Sequence, residues 1–155
     1  MRWPPSDAPT GRMRWSCVVA AQRRPTGPAD VTLVLDSGAL IALERDARSM
    51  WTRLKSAQMA GELPVTHAGV LGQVWRGGAR QSRLSQALKG IDVRPLDVPL
   101  GREAGQLLGA TGLSDIVDAS LVVLSTDGDE IITLDRPDFE QLAAASGRHV
   151  ELIRP

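Results

Sequence analysis

Three aspartates stand where a carboxylate has no simple structural reason to be. Asp36 closes the apolar run VTLVL, Asp135 closes EIITL, and Asp118 sits at the edge of the apolar run Ala119–Leu124, where a buried carboxylate needs a partner. Asp115, one helical turn before Asp118, and Asp138, three residues after Asp135, are further candidates for the same neighbourhood. Two carboxylates about 4 Å apart repel by roughly 4 kcal/mol at an effective dielectric near 20, so a cluster of this kind requires protonation or a cation. An all-oxygen donor set selects magnesium or manganese, whereas zinc would want histidine or cysteine. The chain offers neither in a group, having one cysteine, Cys17, and two histidines, His67 and His149. A hard divalent ion activates water and stabilises phosphoryl oxygens, which is the chemistry of phosphodiester hydrolysis.

Whether these acids meet depends on the elements that carry them. Thr32–Leu35 reads as a buried strand that stops on Asp36, turns through Ser37 and Gly38, and continues as an apolar helix to Glu44. Asp46–Ala60 has helical spacing and ends at Gly61. Leu63–Thr66 is a second strand, followed by a helix with Val70, Leu71, Val74 and Trp75 on one apolar face and Gln73 on its flank. His67, alone near that helix's start, reads as a cap or packing residue. Gln81–Leu88 is a short helix, Asp92–Leu96 a third strand, and Pro99 opens a helix running from Leu100 to Thr111. Ser114 is the expected N-cap of the next helix, with Asp115 in its first turn and Asp118 on the same side. Glu130–Leu134 is the fourth strand, a helix begins near Pro137, and His149–Ile153 is a last strand at the sheet's edge.

Strands alternating with helices in this way predict an α/β fold, a three-layer α/β/α sandwich around a mostly parallel sheet. In such sheets ligands bind at the carboxyl ends of the strands. Asp36 and Asp135 would both be delivered to that edge.

At 155 residues and 43% hydrophobic content the chain is one domain with one sizeable core. Its formal charge of zero hides an asymmetry. Residues 1–29 carry five arginines and five prolines against one acid, Asp7, leaving the remainder at net −4. The first 29 residues therefore read as a disordered basic arm, able to touch RNA, or as an overlong start with translation beginning at Met13 or later; residues 30–155 are the folded domain. An acidic body argues against nucleic-acid binding through bulk charge and asks for a local basic patch instead. The apolar run Cys17–Ala21 is too short for a signal peptide or a membrane span, and a single cysteine forms no disulfide framework. Both features predict a cytoplasmic protein.

The segments LDSGALIALE, VLGQVWRGGARQSRL, GLSDIVDASLVVLS and ITLDRPDFEQL, in this order, resemble the PIN-domain ribonucleases of the VapC type II toxin family over about residues 31–153. The resemblance implies a PIN-like sandwich, usually a homodimer, that cleaves RNA by metal-activated water with magnesium or manganese and is inhibited by a VapB-like antitoxin. It matches Asp36 to the first acid of the family pattern, Asp118 to the acid of the Asp-Ala helix, and Asp135 to the acid ending the later strand. Asp115 is an extra acid that could serve the same ion. Gln73 stands where the pattern has a glutamate on the third helix. It keeps an oxygen that can ligate the ion or orient water, but loses a charge. This departure makes a second reading available, a catalytically weakened PIN-fold module that binds RNA or a partner.

Arg76 and Arg80, with Arg83 beyond them, form a candidate phosphate-contacting ridge beside the acids, or alternatively a solvated face or a surface for an acidic antitoxin segment. Two rival classes fit less well. A haloacid-dehalogenase-type phosphatase wants a second aspartate at position 38, which is Gly38. A receiver domain wants a lysine at a late strand's edge, and the only lysines are Lys55 and Lys89. If the acids share an ion, Asp36→Asn should abolish cleavage with stability unchanged or raised.

Overall fold

A computed structural model describes residues 31–155. The arm read over residues 1–29, together with Asp30, lies outside the described residues. In chain order the elements are β1 (Leu33–Leu35), α1 (Ser37–Glu44), α2 (Arg48–Met59), β2 (Val65–His67), α3 (Ala68–Val74), a 3-10 helix (Ala79–Gln81), α4 (Ser82–Leu88), β3 (Asp92–Arg94), α5 (Val98–Thr111), α6 (Ile116–Leu124), β4 (Glu130–Ile132), α7 (Arg136–Ser146) and β5 (Glu151–Ile153). The five strands pair in parallel throughout, in the order β3-β2-β1-β4-β5.

This order fixes the layers. From β1 the sheet grows through β2 to β3, then the chain returns across it to β4 and β5 in the opposite direction. Right-handed crossovers therefore place α1–α4 on one face and α5–α7 on the other. The contacts agree: α1 packs on α2, α3 and α4, while α5, α6 and α7 pack on one another. The result is the expected α/β/α sandwich. The direction of winding reverses between β1 and β4, and such a switch point opens a crevice at the strands' carboxyl ends.

The core explains why the pattern is so strongly apolar on the central strands. Val34, Leu35, Ile131 and Ile132 are buried on β1 and β4, covered by Leu40 and Leu43 of α1, Leu121 and Val122 of α6, and Phe139 and Leu142 of α7. Each such side chain contributes about 1.5–3 kcal/mol of burial free energy.

The strands are shorter than their apolar runs suggest. Pro95 ends β3 at Arg94, and Leu134, read as the end of β4, is exposed beyond Ile132. Two boundaries differ for reasons that bear on the site. Ser114 is not the cap of α6; Asp115 takes that place, and its carboxylate accepts from the backbone N–H groups of Val117 (2.8 Å) and Asp118 (3.3 Å). Helix α3 ends at Val74, so Trp75, with extended backbone (φ −72°, ψ 125°), leaves the apolar face formed by Val70, Leu71 and Val74 and is 42% exposed.

Candidate metal centre

The two strand-end acids are joined by a residue that pattern reading passed over. Asp36 follows β1 and its backbone N–H donates to Ile132 of β4 (3.2 Å). Its carboxylate, 6% exposed, caps α1 by accepting from the Ser37 N–H and takes a hydrogen bond from the Thr133 hydroxyl (2.9 Å). The same hydroxyl oxygen accepts from the Asp135 N–H (3.0 Å). Thr133, fully buried after β4, thus sets the position of both acids. A hydroxyl directly after the apolar pair Ile131-Ile132, two residues before an acid, was the only sign of it in the sequence.

Asp135 occupies the N-cap position of α7 yet makes no capping hydrogen bond. Asp36, Asp97 and Asp115, at equivalent positions of α1, α5 and α6, all do. The uncapped carboxylate is instead grouped with two others. Asp118 in the first turn of α6, Asp135, and Asp138 in the first turn of α7 place one carboxylate oxygen each within 4.8 Å of one another. Asp118 registers this crowding. Partial burial, followed by the charges of Asp115, Asp36, Asp135 and Asp138, pushes its carboxyl from an ordinary value of 3.8 up to about 7. All five acids are therefore neighbours in one electrostatic unit, although the tight triad is 118, 135 and 138. Asp36 is tied to Thr133 beside it, and the exposed Asp115 spends one oxygen on capping α6. The amino termini of α1, α6 and α7 also start here, and their positive dipole ends moderate the accumulated charge.

His67 is a brace, as its isolation suggested. It is fully buried at the cap of α3, where Nδ1 accepts from the Gly69 N–H (3.1 Å), so that Nε2–H donates to the Val117 carbonyl (3.0 Å). Burial lowers its pKa against the opposing effects of the Val117 carbonyl, Asp36 and Asp115, consistent with a neutral imidazole. The bridge ties α3 to the first turn of α6. Position 69 must be glycine for it, because a Cβ there would lie 2.8 Å from the His67 ring.

Gln73 lies on α3 and is exposed. Arg76 is folded over the end of α3, its guanidinium donating to the carbonyls of Gln73 (2.8 Å), Trp75 (2.8 Å) and Gly72 (3.4 Å). Arg80 is exposed on the 3-10 helix, and Arg83 pairs with Asp46 (3.4 Å) at the surface. The segment is organised by Gln81, which is 4% exposed: its Oε1 accepts from the N–H groups of Arg76 and Gly77 (both 2.8 Å) and its Nε2 donates to the Val74 carbonyl (2.9 Å).

No family model matches the chain, and no curated protein matches it in sequence. Solved structures do match. One is a chain of the VapBC2 complex from Rickettsia felis, bound to a DNA fragment from their promoter. It superposes with a TM-score of 0.60 at 13% identity, covering 79% of this chain and 98% of that one. At this identity the likeness concerns the fold alone, a PIN-like α/β/α sandwich.

Proposed function

We propose that the chain is a metal-dependent endoribonuclease, the toxin of a type II toxin-antitoxin pair. The observation that carries the reading is the convergence of Asp118, Asp135 and Asp138 within 4.8 Å at the sheet's switch point, where partial burial and then the surrounding acids push the Asp118 carboxyl up to about 7. The donor set fits a hard divalent ion, being composed of carboxylates with no thiol or imidazole ligand among the grouped residues. A magnesium or manganese ion held by Asp118, Asp135 and Asp138, with Asp36 beside them, would supply charge for a phosphoryl oxygen and acidify a water. The chain's own residues do the positioning. Thr133 holds Asp36 and Asp135 in register, the His67 bridge fixes the helix that presents Asp118, and Arg76 and Arg80 offer positive charge to an RNA backbone.

In this reading Gln73 has lost the charge of the family's glutamate, and Asp138 from α7 restores it. The rival reading, a binding module without activity, draws on Gln73 alone. A VapB-like antitoxin, a homodimeric state and a cytoplasmic location belong to the proposal through the shared fold with the VapBC2 chain. No single helix among the described residues is long and apolar enough to cross a membrane.

Purified protein incubated with total RNA should give discrete products with manganese and none with EDTA. RNA that is bound but left intact under both conditions would favour the binding module. RNA neither bound nor cut would end the ribonuclease reading and leave the binding module only a protein partner.

A further inference from the structure

Two tryptophans lie among the described residues, and they are treated differently. Trp51 on α2 is half-buried against the core and its indole N–H donates to the Leu43 carbonyl (3.2 Å). Trp75 is 42% exposed, and its indole N–H has no hydrogen-bond partner among the described residues. An indole presents a large flat π-face, so one left exposed beside cationic residues has the chemistry to meet a flat ligand. Its backbone is also held firmly. The Trp75 N–H donates to the Leu71 carbonyl (2.8 Å), its own carbonyl accepts from Arg76, and Gln81 pins the residues on both sides through Val74 and Arg76. Beyond Arg76 the chain turns through Gly77 and Gly78, both at positive φ (76° and 89°), which brings in the exposed Arg80.

Trp75 is thus an exposed aromatic residue on a firmly held stretch of backbone, with exposed polar and cationic residues close to it in the chain: Gln73, Arg76 and Arg80. An apolar partner surface would want apolar surroundings, whereas this combination suits a single nucleic-acid strand, whose bases stack while its phosphates meet guanidinium groups. The helix end is also close to the acids. Helix α3 has seven residues, about 10 Å of rise, and its other end is bridged to α6 by His67. A strand stacked at Trp75 would need to cross only a few nucleotides to reach Asp118.

We propose that Trp75, flanked by Arg76 and Arg80, is a base-stacking platform that selects single-stranded RNA and leads it into the acidic centre. The proposal rests on the ribonuclease reading and adds the form of substrate and the residue that recognises it.

The test uses full-length protein carrying Asp118→Asn, so that substrate persists, and a short single-stranded RNA alongside the same sequence as a duplex. Trp75→Ala should weaken single-strand binding roughly 5- to 100-fold, the range for loss of one stacked base, and leave duplex binding unaltered. Trp75→Phe should restore most of the affinity while reducing the fluorescence quenching that RNA causes in the parent. Single-strand affinity undiminished in Trp75→Ala overturns the platform but leaves the ribonuclease reading intact. So does a change in oligomeric state with RNA affinity unchanged, which would make Trp75 a protein contact. A parent that binds no RNA overturns both.

Discussion

Strand β4 is bracketed by two aspartates with opposite surroundings. Asp129, just before it, is fully buried, and its carboxylate is filled with donors: Oδ1 accepts from the Thr32 N–H (3.0 Å), and Oδ2 from the Thr126 N–H (2.8 Å) and hydroxyl (3.1 Å). Asp135, just after it, is exposed, caps nothing although it stands at a cap position, and faces Asp118 and Asp138. Burial alone would rank Asp129 as the more unusual residue. The supply of donors reverses that ranking. A carboxylate whose lone pairs are taken by the backbone is part of the fold, while carboxylates grouped with one another repel and are the candidates for a shared cation.

The same isosteric change should therefore have opposite signs at the two ends. Asp129→Asn turns an amide N–H₂ toward donors that it cannot satisfy and should cost about 3 kcal/mol, since buried donors facing a charged acceptor lose both partner and charge. Chemical denaturation would measure it. A loss below about 0.5 kcal/mol would mean that the amino-end acid is replaceable and that the contrast fails.

Asp118→Asn should do the reverse in metal-free protein. With its carboxyl raised to about 7, the folded state holds a proton that the unfolded chain releases above 3.8. This group thus favours folding at low pH, and its contribution falls as pH rises from about 4 to 7, staying low above that. Removing the charge should raise stability at pH 8 by about 1 kcal/mol, a figure reduced for the solvent screening of a half-buried group. It should flatten the decline between pH 4 and 7 and abolish cleavage. Manganese should stabilise the parent more at pH 8 than at pH 5 and the variant little at either. A variant less stable than the parent at pH 8 would mean that the repulsion is not there. Asp36 is not the residue for this test, contrary to what its position at a strand end suggests. Its carboxylate caps α1 and receives the Thr133 hydroxyl, so Asp36→Asn also disturbs bonds that the fold uses.

The acids at 36 and 135 were readable because each ends a β-branched apolar run, a local signal of a strand and its carboxyl end. The parallel sheet followed from alternation. What sequence could not supply was the meeting of separate first turns. Asp138 obeys the ordinary rule that acids favour a helix start, and nothing local says that the first turn of α7 faces that of α6. Thr133 was hidden for a similar reason, since a strand threonine is unremarkable until its hydroxyl is seen between two acids. Trp75 was misplaced by helical periodicity, which holds only while the helix lasts; α3 stops one residue earlier, and the side chain swings out. The cap of α6 moved from Ser114 to Asp115 because both residue types cap well and only the turn decides between them.

The smallest expected effect concerns Gln73. If Asp138 supplies the charge that Gln73 lacks, the centre is already complete, and Gln73→Glu adds a further acid at an exposed position on α3. A charge near a partly solvated ion gains roughly 0.5–1 kcal/mol, so divalent binding measured by calorimetry at pH 8 should tighten about two- to fivefold. Asp138→Asn should weaken it by more than that. Weaker binding in Gln73→Glu would mean that residue 73 does not face the ion. A gain larger than the loss from Asp138→Asn would mean instead that α3, rather than α7, is where the carboxyl edge wants its remaining charge.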